Sequence, residues 1–284
     1  MPSPVAAAKL MRSAVYNTEI RLLDGISYVL ARNPKAYTGP GTNTYIVGKA
    51  SVWVVDPGPY NLAHCSAVLN AIDGRPVKGI LVTHTHLDHS PAADILKRMT
   101  GAKTYGFGGL CTKIPSETKA AVDPSFVPDV ALSHDHIIGV GRWRVEAVHT
   151  PGHSPDHLCY SLPEQSVLFS GDHVMGWSST VIAPPLGNLA DYMASLTLLE
   201  NCNASLMLPS HGGPVEDPRG RIGAIRDHRL MRHRQVADCL AEGLSEPADI
   251  VARIYRDLTP HLIEAAQGCV RAHMDTLRND TALA

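Results

Sequence analysis

Residues 80–90 read ILVTHTHLDHS, an apolar run that ends in His84, His86, Asp88 and His89. Imidazole and carboxylate groups together suit a borderline divalent cation: zinc first, with iron or manganese as alternatives. In extended chain His84 and His86 point to the same side, and Asp88 and His89 fall where the chain turns toward the next element. Three further polar residues follow apolar runs in the same way, beside Gly or Pro. HTPGHSPDH (149–157) offers His153 after WRVEAVH, SGDH (170–173) offers Asp172 after SVLFSG, and LPSHGG (208–213) offers His211 after SLMLP. If these four strand ends lie on one rim, seven ligands converge. Zinc takes about four to five ligands, so two ions fit such a set better than one.

Other residues stand near these motifs. His157 can hydrogen-bond a ligand or a substrate oxygen, or be a strand-start histidine with no such contact; His173 carries the same pair of readings. Thr42 and Asn43 in GPGTNTY can lie on a rim loop, although Gly-rich turn chemistry alone would account for them. His134 and His136 in SHDH read as an exposed acidic turn, and His149 has no assigned role.

These residues need strands that end together. Short β-branched and apolar runs bounded by turn residues occur at 26–31, 43–48, 51–56, 79–84, 143–149, 157–162, 166–171 and 205–209. Helical stretches intervene at 91–100, with Ser90 as N-cap and Pro91 at the first helical position, and at 190–202. This mixture implies an α/β core. From Pro218 the character changes to three helices, 218–243, 245–258 with a Ser cap and 259–279 with a Thr cap. The expected organisation is therefore an α/β domain over 1–217 and a three-helix subdomain over 218–284.

The chain has 284 residues, a net charge of −2 and 44% apolar residues, enough for a large core and without a global pull toward nucleic acid or anionic lipid. No stretch suits a signal peptide or a membrane span, so the expected location is cytoplasmic, with no membrane partner. Six scattered cysteines (65, 111, 159, 202, 239 and 269) form no CxxC pair and read as reduced, mostly buried thiols. Arg219, Arg221, Arg226, Arg229, Arg232 and Arg234 make one locally basic helix. It reads either as a guide for RNA or phosphate, or as a solvated face paired with acids elsewhere.

The order THTHLDH, PGH, GD, SHG resembles the metallo-β-lactamase superfamily over about residues 26–213. That resemblance implies a four-layer αβ/βα sandwich. It also implies one metal on His84, His86 and His153, a second on Asp88, His89 and His211, and Asp172 bridging both. GTNTYIVG (41–48), TPGHSPDH (150–157) and the helical tail are similar to the β-lactamase-like protein 2 group. In that group a winged-helix-like tail follows the core, and a member cleaves single-stranded RNA. Here SHG stands where GHG is commoner, placing Ser210 at a usual glycine.

The expected chemistry is that of a dinuclear zinc hydrolase. A hydroxide bridging the two ions attacks an ester, thioester, lactone or phosphodiester. Asp88 can also act catalytically by holding the hydroxide's proton. Two divalent ions less Asp88, Asp172 and hydroxide leave about +1, which favours a small anionic molecule or RNA as substrate. The alternatives are an endoribonuclease acting on single-stranded RNA, an RNA-binding protein with a vestigial core, and an iron redox protein. Intact His86 and His89 argue against the last. A homodimer through the tail is a further expectation.

Overall fold

The computed structural model describes residues 14–108 and 121–279. Cys111 and the last residues of the tail lie outside them.

Seven strands form the first sheet in chain order: β1 (Glu19–Leu23), β2 (Ile26–Leu30), β3 (Asn43–Gly48), β4 (Val52–Val55), β5 (Val77–Leu81), β6 (Thr104–Phe107) and β7 (Val130–Leu132). The second sheet contains β8 (Ile137–Ile138), β9 (Val145–His149), β10 (Leu158–Leu162), β11 (Val167–Gly171) and β12 (Leu206–Pro209), ordered β12-β11-β10-β9-β8. The helices are α1 (Leu62–Ile72), α2 (Ala93–Thr100), α3 (Leu189–Glu200), α4 (Pro218–Ala241), α5 (Pro247–Ile254) and α6 (Ile263–Arg278).

Both faces of the central strands are covered, which is why they read as unbroken apolar runs. Side chains still alternate with period two. Val54 and Ile80 join a cluster with Val68 of α1 and Leu96 of α2, whereas Val55 and Leu81 face the other way. There they meet Leu158, Tyr160, Phe169 and Leu208 of the second sheet. On that sheet's outer face Cys159, Leu168 and Met207 pack against Tyr192 and Leu196 of α3 and Ile222 of α4. Three apolar interfaces thus separate four layers, helix, sheet, sheet, helix. A fourth cluster (Val236, Cys239, Ile250, Val270, Met274) joins α4, α5 and α6. Helix α4 therefore belongs to two clusters, its start to the sandwich and its end to the tail.

Several local expectations are revised. Helix α2 starts later than the sequence suggests and has Ala92 at its N-cap, without a side-chain bond. The Ser90 hydroxyl instead donates to Asp123 (3.0 Å). Helix α5 is capped at Glu246 rather than Ser245, and a 3-10 turn (Pro260–Leu262) precedes α6. Strands β1, β6, β7 and β8 and helix α1 were not among the expected elements. No strand follows β12 among the described residues. None of the described helices is long and apolar enough to cross a membrane. Among the described residues five cysteines are free thiols, of which Cys65, Cys159 and Cys239 are buried.

Candidate metal centre

Strand direction accounts for the convergence. β9 and β11 are each antiparallel to β10, and β12 is parallel to β11, so β9, β11 and β12 all end at one edge of their sheet. His153, Asp172 and His211 follow those ends. Across the sandwich β5 ends at Leu81, and His84, His86, Asp88 and His89 follow. Backbone bonds hold the two rims together. Leu158 N donates to Thr83 O (2.7 Å) and Asn43 N to Ser210 O (2.8 Å). Two glycines permit the turns. Gly152 (φ 132) lies against the Tyr192 backbone and Gly171 (φ 53) against the His157 ring, and a Cβ at either would clash.

All seven predicted ligands come together. His84 Nε2 is 2.8 Å from His86 Nδ1, which is 3.1 Å from His153 Nε2. Asp88 Oδ2 lies 3.2 Å from His211 Nε2 and 3.5 Å from His89 Nε2. Asp172 turns one oxygen to each group: Oδ1 is 3.2 Å from His211 Nε2 and 3.6 Å from His89 Nε2, and Oδ2 is 3.7 Å from His153 Nε2. The ligand atoms of His84, His86 and His153 lie within 4.8 Å of one another, as do those of Asp88, His89 and His211, and those of His84, His89 and Asp172.

The hydrogen bonds made by the outer ring nitrogens assign the tautomers. His153 Nδ1 donates to Val181 O (2.8 Å), and His211 Nδ1 to Gly41 O (3.0 Å). His89 Nδ1 donates to Asp56 Oδ2 (2.9 Å). Thr83 Oγ1 donates to Asp56 Oδ2 (2.8 Å), so it accepts from His84 Nδ1 (3.0 Å). The inner nitrogens of these four rings therefore carry bare lone pairs, aimed at each other and at carboxylates. His89 Nε2 and Asp172 Oδ1 are buried without a hydrogen-bond partner. Lone pairs and carboxylates crowded this way call for positive charge between them, a proton or a metal ion, so the donor set fits divalent metal. The field has the matching sign. Burial pushes His211 down, but Asp172 and Asp88 outweigh it and bring the ring to about 10. Asp172 is raised by burial but held well below the carboxylate range by His211 and His89.

The other expected site residues are supports. His157 accepts from the Asp172 amide through Nε2 (3.1 Å), and its Nδ1 meets Thr150 Oγ1 (2.8 Å). Asn43 is buried and donates to Pro209 O (3.0 Å) and Gly212 O (2.9 Å), fixing the loop that carries His211. Thr42 forms a β-bridge with His211. His173 is buried and packs on Tyr192, with ring centroids 4.3 Å apart. His134 and His136 are exposed. His149 stacks on Phe107, with centroids 4.4 Å apart.

Sequence reasoning missed Asp56, which is 0% exposed. It accepts from Thr83 N (2.8 Å), Thr83 Oγ1, His89 Nδ1 and Ser210 Oγ (2.5 Å). Its φ of 50° is one that non-glycine residues rarely adopt. The signal was present: VVDPG repeats the pattern of a carboxylate closing an apolar strand beside Pro and Gly. Asp156 was missed as well. It accepts from Thr85 N (2.9 Å) and Ser154 Oγ, and burial pushes its carboxyl up.

A two-sheet αβ/βα sandwich with a His/Asp cluster at the strand ends defines a class of metal-site hydrolases. The "Metallo-beta-lactamase superfamily" matches residues 37–211, and a "Beta-lactamase associated winged helix domain" matches 247–281. The chain belongs to the metallo-β-lactamase superfamily, whose members are generally metal-dependent hydrolases. It is 30% identical over 283 residues to the beta-lactamase-like protein 2 homolog of Drosophila melanogaster, covering 93% of this chain and 91% of that one. An atrochrysone carboxyl ACP thioesterase of Aspergillus chevalieri is 31% identical over 235 residues, 80% of this chain and 70% of its own. The fold matches the crystal structure of a beta-lactamase domain protein from Burkholderia ambifaria (TM-score 0.78, 23% identity, 96% of this chain and 95% of that one).

Proposed function

We propose that the protein is a dinuclear zinc hydrolase that cleaves an acyl ester or thioester. The observation that carries this reading is the position of Asp172, whose two oxygens face different histidine groups. His84, His86 and His153 would hold one ion, Asp88, His89 and His211 the other, and Asp172 both. Bound there, a pair of divalent cations lowers the pKa of a water molecule toward neutrality and polarises the oxygen under attack. Asp88 is the more open carboxylate, its side chain 27% exposed against 11% for Asp172. It can hold the attacking water's proton, orient its lone pair and return the proton to the leaving group. Asp56 and Asn43 act by fixing His89 and the His211 loop.

Two observations favour an acyl bond over RNA. One relative is named as a thioesterase. Four of the six arginines of the basic helix are also held in place, which leaves no run of free, exposed cations to track a polyanion. Arg226 pairs with Glu200 (2.7 Å), and Arg221, Arg229 and Arg232 donate to backbone carbonyls. The test is elemental analysis of gently purified protein together with a panel of acyl thioesters, lactones and single-stranded RNA, run beside Asp172→Ala. The expected result is close to two zinc ions per chain and thioester cleavage that the variant loses. Protein that takes up no metal, or RNA cleavage alone, would overturn it.

A further inference from the structure

Helix α4 carries three guanidinium groups that are held without a carboxylate. Arg221 donates from Nε to Met175 O (2.7 Å) and from Nη2 to Ser178 O (2.5 Å). Arg229, 3% exposed, donates to Thr180 O and lies 5.4 Å from the Tyr192 ring centroid. Arg232 donates to Ile254 O (2.9 Å) and lies 4.1 Å from the Tyr255 ring centroid. Carbonyls and ring faces orient a cation without cancelling its charge. Among the described residues the arginines in ion pairs are Arg98, Arg142, Arg144, Arg226, Arg253 and Arg278, and none of the three. The surrounding histidines respond to this field. Burial and then Arg229 push His228 down to about 4 and His273 to about 3. Unpaired cations in a half-buried setting are costly, and an anion relieves that cost.

A cavity of about 330 Å³ opens against this face, lined by Trp177, Ser178, Ser179, Arg221, Ala224 and His228, with no acidic residue in its wall. Arg221 Nη1 takes part in neither of that side chain's bonds to Met175 and Ser178, and His228 Nδ1 is buried without a hydrogen-bond partner. The loop that forms the outer wall also serves the metal centre. It begins at Asp172, whose carbonyl accepts from Thr180 Oγ1, and Val181 O accepts from His153. Trp177 packs on Gly39 and on Gly212, the residue after His211.

We propose that this cavity binds the anionic end group, a phosphate monoester or a carboxylate, of the substrate whose acyl bond is cut at the metal centre. The role as substrate subsite rests on the hydrolase reading. Occupation of the cavity by an anion does not. Arginine forks suit both anions. A small cavity lined by a single guanidinium, that of Arg221, fits one end group, whereas a nucleic-acid strand needs a run of exposed cations.

Ala224 is exposed and makes none of the loop's hydrogen bonds, so Ala224→Glu and Ala224→Phe alter the cavity without touching its supports. The first arm titrates metal-loaded protein with inorganic phosphate. It reads tryptophan fluorescence against Trp177→Phe, and needs no turnover. The expected result is a Trp177-dependent change whose phosphate affinity falls about tenfold or more in both Ala224 variants, at unchanged metal content. Equal phosphate affinity in wild type and both variants places all anion binding at the metals and overturns the proposal. The second arm uses acyl thioesters ending in a carboxylate at increasing spacer length, beside their methyl esters. At one spacer length, Ala224→Glu should raise KM for the acid about tenfold, with kcat within about twofold and the methyl ester unaffected. No such split at any length overturns the subsite role. Single-stranded RNA that displaces phosphate with a steep salt dependence overturns the end-group assignment in favour of a polynucleotide. Loss of all turnover with the phosphate arm intact refutes the hydrolase reading and the subsite role, and leaves the anion site standing.

Discussion

Asp56→Asn tests how the centre is supported. Asp56 Oδ2 takes three donors, from Thr83 Oγ1, His89 and Ser210, and Oδ1 takes the Thr83 amide. Asparagine retains one oxygen. With that oxygen in the Oδ2 place, its NH₂ faces the Thr83 N–H, donor against donor, in a site closed to water. One orphaned buried donor costs about 1–3 kcal/mol. Losing the carboxylate's charge weakens the remaining bonds by about half. The reverse rotamer strands three donors and is worse. The expected loss of stability is about 2–4 kcal/mol, seen as a lower urea midpoint in chelator-treated protein. Freed of Asp56, the His89 ring loses its fixed tautomer, and zinc affinity at the Asp88–His89–His211 set should fall about 10–100-fold. Competition with a chromophoric chelator measures that affinity. An unchanged urea midpoint with zinc affinity within about twofold of wild type would refute the reasoning.

Four other outcomes are expected. Ser210→Gly removes only the 2.5 Å bond to Asp56. It should lower stability by about 1 kcal/mol while the metal content measured by elemental analysis is unchanged. Arg229→Glu buries a carboxylate against Thr180 O and should cost about 3–5 kcal/mol in urea unfolding; Arg226→Gln, which loses only a partly exposed pair, should cost about 1 or less. Burial and then Arg229 depress His273 to about 3, below its unfolded value of about 6.5, so the unfolded chain protonates first. This group costs nothing above pH 6.5 and destabilises the fold as pH falls toward 3. His273→Gln should therefore flatten the pH dependence of the urea midpoint by up to about 1.4 kcal/mol per pH unit between pH 6 and 4. Chelation of purified protein should lower Tm by an amount that grows with the affinity of the metal removed, and added zinc should restore it.

The seven converging residues were legible because each closes an apolar run with a side chain that a strand end cannot otherwise use. The α/β character was legible too, because both-face burial leaves runs such as VWVV without a polar side, whereas the four-layer order followed only from the family resemblance. What escaped was set by partners distant in sequence. Asp56 looks like a turn aspartate until β4 and β5 lie side by side and bring Thr83 and His89 to it. Strand β7 is three residues long and is a strand only because β6 pairs with it. The arginines of α4 read as solvent-facing because their spacing says nothing of the carbonyls that hold them, 43 to 49 positions upstream for Arg221 and Arg229 and 22 downstream for Arg232. Ser90 fits a cap by type, but its hydroxyl prefers the buried Asp123 carboxylate, and the helix starts beyond it.

The division of the candidate ligands between the sheets would give bound metals a structural part. His84, His86, Asp88 and His89 follow a strand of the first sheet; His153, Asp172 and His211 follow strands of the second. Neither proposed ion would be held from one sheet alone, since the first takes two ligands from one side and His153 from the other, and the second likewise takes His211. Asp172 adds a further tie across the gap. The two rims bring imidazoles and carboxylates together at 2.8–3.7 Å over an apolar cluster that keeps the sheets closed. Burial lowers His211 and His89, but Asp172 and Asp88 outweigh it, so protons on these rings answer the carboxylates when no metal does. Divalent cations would take the place of those protons and tie ligands of both sheets to one centre. The same negative field that would make the centre a strong binder of cations would thus couple their capture to the registry of the two sheets.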